Sequence, residues 1–301
     1  MAHYHVLYNP LAGNGRGKTD VKKLETLLAG NELSFYDITA VGLSGEFFAG
    51  IPADERILVA GGDGTLSRFA DAIAELDLPH EIYFFGCGSG NDFLHDVGRK
   101  RGGDPFCVND YLKNLPAIVI DGKAHRFING TGAGIDGYCC AEVNRRHVET
   151  GKDVSYKLVA VQGLLYGYAP GKATITVDGK THIFEDMWMA PAMQGRYFGG
   201  GVMAAPTQER LNEDGTVSVM VMRCRSRSRA LTLLPSVIAG KHLKLTKHVT
   251  VLTGHRFEIE FDRTMHMQID GETHPDLQRY QIRTAKALAE DRAAKEAVLT
   301  R

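Results

Sequence analysis

Neither charge nor cysteine chemistry dominates this chain. Thirty-five basic side chains stand against thirty-six acidic ones, a formal net charge of −1, so no general field favours nucleic acid and no nucleic-acid partner is expected. The five cysteines are an odd number without C-x-x-C spacing, which points away from a disulfide framework and a cysteine-based zinc site. Cys87, Cys107, Cys139, Cys140 and Cys224 therefore read as reduced thiols, mostly small core residues. No apolar run approaches the roughly 18 to 20 residues that span a bilayer, and "MAHYHVLYNP" lacks the basic start and apolar core of a secretory signal. The expectation is a cytoplasmic protein, or one peripheral to the inner face of the membrane. Twelve histidines show no H-x-x-H or H-E-x-x-H spacing, so no catalytic zinc is expected and none of them is assigned a role.

What is present is ordinary globular material: 301 residues, 44% hydrophobic and 24% charged, enough for two cored domains. Residues 1–125 alternate short apolar runs with helical spacing. "HVLY" precedes Val21, Leu24, Leu27 and Leu28; "RILVAG" precedes Leu66, Phe69, Ala70 and Ile73; "EIYFFG" precedes a third such stretch. Strand-helix repetition predicts a parallel sheet. Across residues 126–275 the pattern becomes strand-like alternation punctuated by glycine, as in "KATITVDGKTHIFEDMWMA" and "GTVSVMVMRCR", which predicts a β-rich second domain. Residues 276–301 read as a last strand, "RYQIRT", and a helical tail with few apolar anchors.

Three glycine loops fall at strand-to-helix junctions of the first domain. "AGNGRGKT" follows the first strand, "GGDGT" the second of the three apolar runs, and "GCGSGND" the third. Glycine lets backbone N–H groups approach phosphate, and loops on one edge of a parallel sheet form a ligand site. The first loop departs from a Walker P-loop, because Ala12 stands where that pattern needs glycine. Asp63, a carboxylate inside a phosphate loop, suits contact with magnesium or acceptance of a proton from an attacking hydroxyl. The competing explanation of "DGT" is a tight turn with an aspartate helix cap.

"NPLAGNGRGK", "GGDGTLSRFADAI" and "GSGNDFLHDVG", followed by "RFINGTGAGIDGYCCAEVN", "GRYFGGGVMAAPTQERLNEDGTVSVMV" and "MQIDGE", resemble the diacylglycerol kinase catalytic-domain family over nearly the whole chain. The resemblance implies a three-layer, NAD-kinase/phosphofructokinase-like α/β domain, then a β-sandwich. It implies an ATP- and Mg2+-dependent lipid kinase, with diacylglycerol as the first acceptor. A kinase of a soluble acceptor such as NAD and a non-catalytic lipid or nucleotide sensor are the alternatives. Carried over, the nucleotide contacts are Asn9, Pro10, Leu11, Ala12, Gly13, Thr39, Gly61, Gly62, Asp63, Gly64, Thr65, Leu66, Ser67 and Ser89. Glu272 of "DGE" corresponds to the family's proton acceptor and Asp63 is its rival, while Asp92 and Asp136 correspond to magnesium or water-network partners. The "RLNEDG" loop resembles a structural magnesium site, with Leu211, Asp214 and Thr216 as ligands. Gln194 departs from the family's usual asparagine. The implied partner is a lipid at a membrane surface, and the resemblance is compatible with peripheral membrane association and with homodimers. Arg223, Arg225, Arg227 and Arg229 would share one face of an extended chain as a docking patch; the other reading is a strand end followed by a packed helix.

Overall fold

The protein is described here by a computed structural model covering residues 1–152 and 154–299. It divides into two compact units, Met1–Lys113 and Asn114–Arg301. The division precedes the expected residue 125 because residues 117–126 form a hairpin that pairs with the second sheet, not the first. The last strand and tail helix are present, and Thr300 and Arg301 lie outside the described residues.

The first unit holds a five-stranded sheet in the order β2-β1-β3-β4-β5. Its strands are β1 (His3–Tyr8), β2 (Glu32–Asp37), β3 (Arg56–Gly61), β4 (Ile82–Gly86) and β5 (Phe106–Cys107). The first four run parallel, and β5 is antiparallel to β4. "RILVAG" is buried along almost its whole length, as a strand covered on both faces must be. The helix Asp63–Ile73 follows β3 directly and buries Leu66, Phe69 and Ala70, at helical spacing. From β1 the chain crosses to β2 on one side and returns to β3 on the other. The loops leaving β1 and β3 therefore flank the point where strand order reverses, where open α/β sheets bind ligands.

The second unit holds β6 (Ala117–Ile120), β7 (Lys123–Arg126), β8 (Gly130–Ala133), β9 (Gly171–Val177), β10 (Lys180–Met189), β11 (Ala192–Met193), β12 (Val217–Arg223), β13 (Val249–Gly254), β14 (Arg256–Ile269) and β15 (Glu272–Arg283). All pair antiparallel in the order β7-β6-β15-β14-β8-β11-β12-β10-β9, with β13 added on β12. Because β9 also pairs with β14, the middle of this sheet closes on itself and loses its edges. Inside lie Trp188, Phe257, Ile259 and Phe261, and the Trp188 indole N–H donates to the Cys224 carbonyl at 2.9 Å. An α/β domain with a parallel sheet followed by a β-rich, sandwich-like domain is the expected fold class.

Candidate functional site

Three loops meet at the carboxyl edge of the first sheet. The Asn9 backbone N–H donates to the Ala60 carbonyl at 3.0 Å, and its side-chain amide donates to Thr65 Oγ1 at 3.0 Å. The Gly61 carbonyl accepts the N–H groups of Cys87 (2.8 Å) and Gly88 (3.1 Å), tying the second loop to the third. They approach so closely that a Cβ on Gly88 would sit 2.3 Å from Gly62 Cα. Gly13 takes φ 59°, and a Cβ there would meet the Cys87 carbonyl at 2.6 Å, so glycine is demanded twice over. Within this loop Pro10 is half-buried, Leu11 exposed and Ala12 buried. Ser89 Oγ donates to Asn14 Oδ1 at 3.0 Å, joining first and third loops. Gly64 is half-buried, while Thr65, Leu66 and Ser67 are buried in the helix that follows.

Thr39 follows the carboxyl end of β2, which runs parallel to β1, and so lies on the same edge of the sheet. It is exposed just beyond β2, and its N–H and Oγ1 both donate to Asp37 Oδ1, at 2.9 and 2.6 Å, in a local turn.

Asp63 and Asp92 come together. Asp63 Oδ2 accepts the Asp92 N–H and Oδ1 accepts the Phe93 N–H, each at 2.9 Å. Asp63 thus caps the short helix Asp92–Asp96 from a neighbouring loop. Asp92 is 5% exposed, and a Cβ on Gly90 would lie 3.3 Å from Asp63 Oδ2 and 4.0 Å from Asp92 Oδ2, so both carboxylates face that glycine. Beneath the first loop Arg101 donates to Asp20 at 3.1 Å; hydrogen bonding from Lys23 lowers the Asp20 pKa against burial, with Arg101 assisting. Neither Asp20 nor Arg101 carries a sequence signal.

In the second unit the anchor is Asp270. With Gly271 it forms the two-residue turn between β14 and β15, at φ 47° and 83°. Its carboxylate accepts the N–H groups of Ile128 (2.7 Å), Asn129 (2.7 Å) and Gly130 (2.9 Å). The same segment receives the Arg210 guanidinium, which donates to the Ile128 carbonyl and to Asn129 Oδ1. Gln194 completes this frame: its N–H donates to the Asn129 carbonyl at 2.9 Å and its side-chain amide to the Arg210 carbonyl at 3.0 Å.

Glu272, half-buried, is the first residue of β15, directly beyond the anchored turn. Asp136 is 2% exposed, at the start of the helix Ile135–Thr150, against the backbone of Gly132 and Gly134. Its Oδ2 accepts from Gln268 at 3.3 Å, while Oδ1 has no hydrogen-bond partner among the described residues. Burial pushes its pKa up to about 6 against the hydrogen bonds that favour the charge. Cys140 reports on both carboxylates: burial raises its thiol to about 12, and Asp136 and Glu272 each add to the shift.

The 211–216 turn is closed by protein groups. The Thr216 carbonyl accepts from Asn212 Nδ2 (3.0 Å) and Gln208 Nε2 (2.9 Å), which fill its two lone-pair directions, and Leu211 and Asp214 are exposed. These residues fit a side-chain-closed turn better than a magnesium cage, so no step is derived from a metal there.

The four arginines do not share a face. β12 ends at Arg223, and Ser226 caps the helix Arg227–Ile238. Arg223 lies over Phe184, Arg225 faces Asp186, Arg227 lies over Trp188 and donates to the Leu164 carbonyl, and Arg229 meets His248. The extended docking strand gives way to a strand end and packed helix because the Ser226 hydroxyl accepts the Arg229 N–H and starts the helix.

A parallel sheet with three glycine loops at its carboxyl edge, followed by an antiparallel sheet that closes on itself, defines a kinase fold of the NAD kinase and diacylglycerol kinase class. Residues 3–114 match the diacylglycerol kinase catalytic domain, and residues 130–288 match the YegS C-terminal NAD kinase beta sandwich-like domain. The chain belongs to the diacylglycerol kinase catalytic-domain family. It is 26% identical over 291 residues to a diacylglycerol kinase of Bacillus subtilis (strain 168), covering 90% of each chain. A diacylglycerol kinase of Mycobacterium tuberculosis (strain ATCC 25618 / H37Rv) is 25% identical over 198 residues, 64% of this chain and 62% of that protein's length. A diacylglycerol kinase crystal structure from Bacillus anthracis str. Sterne superposes with a TM-score of 0.61 at 18% identity, covering 94% of this chain and 93% of the other. A second solved chain from that strain gives a TM-score of 0.69 at 20% identity, covering 94% and 92%. Among the described residues no helix is long and apolar enough to cross a membrane.

Proposed function

We propose that this protein transfers the γ-phosphoryl group of ATP to a lipid hydroxyl, with diacylglycerol as acceptor and phosphatidic acid as product. The observation that supports this reading most is the junction of glycine loops at the strand-order reversal. Asn9 donates to Thr65 across that reversal, and one strand further along the same edge Gly62 and Gly88 touch backbone to backbone, with Ser89 joined to the first loop. Side chains at those glycines would meet the backbone of the neighbouring loop and force the loops apart, and N–H groups at the start of a helix favour the charge of a polyphosphate. Asn9–Gly13, Gly61–Ser67 and Ser89 are assigned to the nucleotide. Thr39, whose hydroxyl proton goes to Asp37, would offer a nucleotide only acceptor lone pairs.

Asp63 and Asp92, which face Gly90, fit a magnesium ion shared with the phosphates. Such an ion, when bound, offsets negative charge developing on the transferred group. Both Asp63 oxygens already accept backbone N–H groups, so Asp63 is assigned a positioning role and Glu272 the acceptor of the hydroxyl proton. Its place next to the Asp270 turn holds its backbone rigidly, as a general base requires. Asp136 is assigned to a buried hydrogen-bond network beside it.

Contact with a lipid surface is supported by the helix Tyr156–Gln162 and the π-helical turn Gly163–Gly167, which leave Leu158 (54%), Leu165 (46%) and Tyr166 (70%) exposed. The test is ATP turnover with lipids in mixed micelles, with NAD and glycerol as soluble controls. Diacylglycerol should stimulate turnover and the controls should not; stimulation by NAD alone would replace the lipid assignment.

A further inference from the structure

His3 and His5 alternate along β1 and so project to the same face of the sheet. Glu55, immediately before β3, reaches the same point. His3 Nδ1 lies 3.0 Å from Glu55 Oε2, and His5 Nε2 makes a still closer contact with that oxygen. The two ring nitrogens and the carboxylate oxygen all lie within 4.8 Å of one another, and no other group of three His, Cys, Asp or Glu among the described residues is so disposed. This cluster sits at the amino ends of β1 and β3, whereas the glycine loops leave their carboxyl ends.

The outward nitrogens carry the second observation. His3 Nε2 is 2.8 Å from Ser34 Oγ, and His5 Nδ1 is 3.1 Å from Tyr36 Oη, both hydroxyls projecting from β2. Metal-bound imidazoles are oriented by an outer partner on the other ring nitrogen. A hydroxyl serves either protonation pattern. With the inner nitrogens protonated and donating to Glu55, it donates to the outer nitrogen; with the inner nitrogens bound to a cation, it accepts the outer N–H. The hydroxyls therefore orient both rings in either state, while the Glu55 carboxylate must draw back from His5 Nε2 to admit an ion, whose tetrahedral ligand atoms stand about 3.3 Å apart.

Two imidazoles and one carboxylate select a borderline transition metal over magnesium or calcium, and three protein ligands leave a fourth position for water. Side-chain exposures of 20% for His3, 8% for His5 and 24% for Glu55 leave the cluster largely shielded from solvent but not sealed. We propose that His3, His5 and Glu55 form a Zn2+ site that clamps β1 and the start of β3, beside β2, at the amino edge of the parallel sheet. The ion has no part in phosphoryl transfer.

The test uses the full chain, freed of metal by chelator and titrated with Zn2+ against a chromogenic competitor, with melting temperature recorded in parallel. Wild type should bind one equivalent more than His3→Gln or Glu55→Gln, and Zn2+ should raise the wild-type melting temperature but not theirs. Ser34→Ala should weaken that equivalent about ten- to hundredfold. Co2+ in place of Zn2+ should give ligand-field absorption in wild type that His5→Gln lacks. Equal Zn2+ stoichiometry in wild type, His3→Gln and Glu55→Gln, or no wild-type thermal shift, overturns the proposal. His3→Gln, at a partly exposed position, keeps the comparison usable if His5→Gln does not fold.

Discussion

The Asp63 carboxylate accepts the backbone N–H of Asp92 at 2.9 Å, so the acid of the second glycine loop caps the helix that follows the third. Its other oxygen takes the Phe93 N–H at the same distance. Asp63→Asn keeps one acceptor and presents an amide donor to the other N–H. It should destabilise the first unit by about 1 to 3 kcal/mol and weaken nucleotide binding roughly tenfold by loosening the third loop. Thermal melts and ATP titration calorimetry check this; unchanged values in both would leave the cap without consequence.

Gly88→Ala should lower nucleotide affinity by at least tenfold, because its Cβ would press on the Gly62 backbone at 2.3 Å and force the loops apart. Such overpacking destabilises by about 1 to 3 kcal/mol. Gly42→Ala is the control, since nothing lies within 4 Å of the added methyl. Similar ATP affinities for the two variants would show that the contact is irrelevant to binding.

Asp270→Ala leaves the N–H groups of Ile128, Asn129 and Gly130 without their acceptor. The expected loss is about 3 kcal/mol or more, roughly 6 to 12 °C of melting temperature for a domain of this size. A shift below 2 °C in a scanning fluorimetry comparison, on the order of a single exposed hydrogen bond, would contradict the anchoring role.

Asp136 sets a pH dependence. Its carboxyl moves from an ordinary 3.8 to about 6 on folding, so the folded protein binds the extra proton between those values. Its stability contribution is greatest below pH 4 and declines as pH rises through 6, by about 3 kcal/mol in all. The neighbouring groups Cys139, Cys140, Tyr156, Tyr168 and Tyr280 are all shifted upward by burial and keep their charge state across that window. Urea unfolding in magnesium-free buffer should find Asp136→Asn gaining on wild type between pH 4 and 7. A pH-independent difference would mean that the carboxyl is not held protonated.

Both sheets were legible because their patterns differ: "RILVAG" is buried almost throughout, while "GKATITV" alternates buried and half-buried residues. The glycine loops were legible as strand-to-helix junctions, but their mutual contact was not, since Gly62 and Gly88 meet only once β3 and β4 pair. For Asp63 the residue type admitted base, metal ligand or cap, and the cap on the helix after the third loop emerges only from the position of the Asp92 N–H. Gln194 and Arg210 lie in or beside family segments, but their meeting at Asn129 is long-range and no motif shows it. "HYH" matches neither H-x-x-H nor H-E-x-x-H, which are helical spacings, whereas a strand brings alternate residues to one face.

Tracing the γ-phosphoryl group of labelled ATP in wild type and Glu272→Gln, with nucleotide affinity measured on the same preparations, tests the central claim most directly. Wild type should carry the label into an organic-phase phosphomonoester of diacylglycerol. The variant should bind ATP within about twofold of wild type yet transfer at least about a hundredfold more slowly, as loss of a general base requires. Label confined to water-soluble products, or transfer by Glu272→Gln at the wild-type rate, would contradict the account.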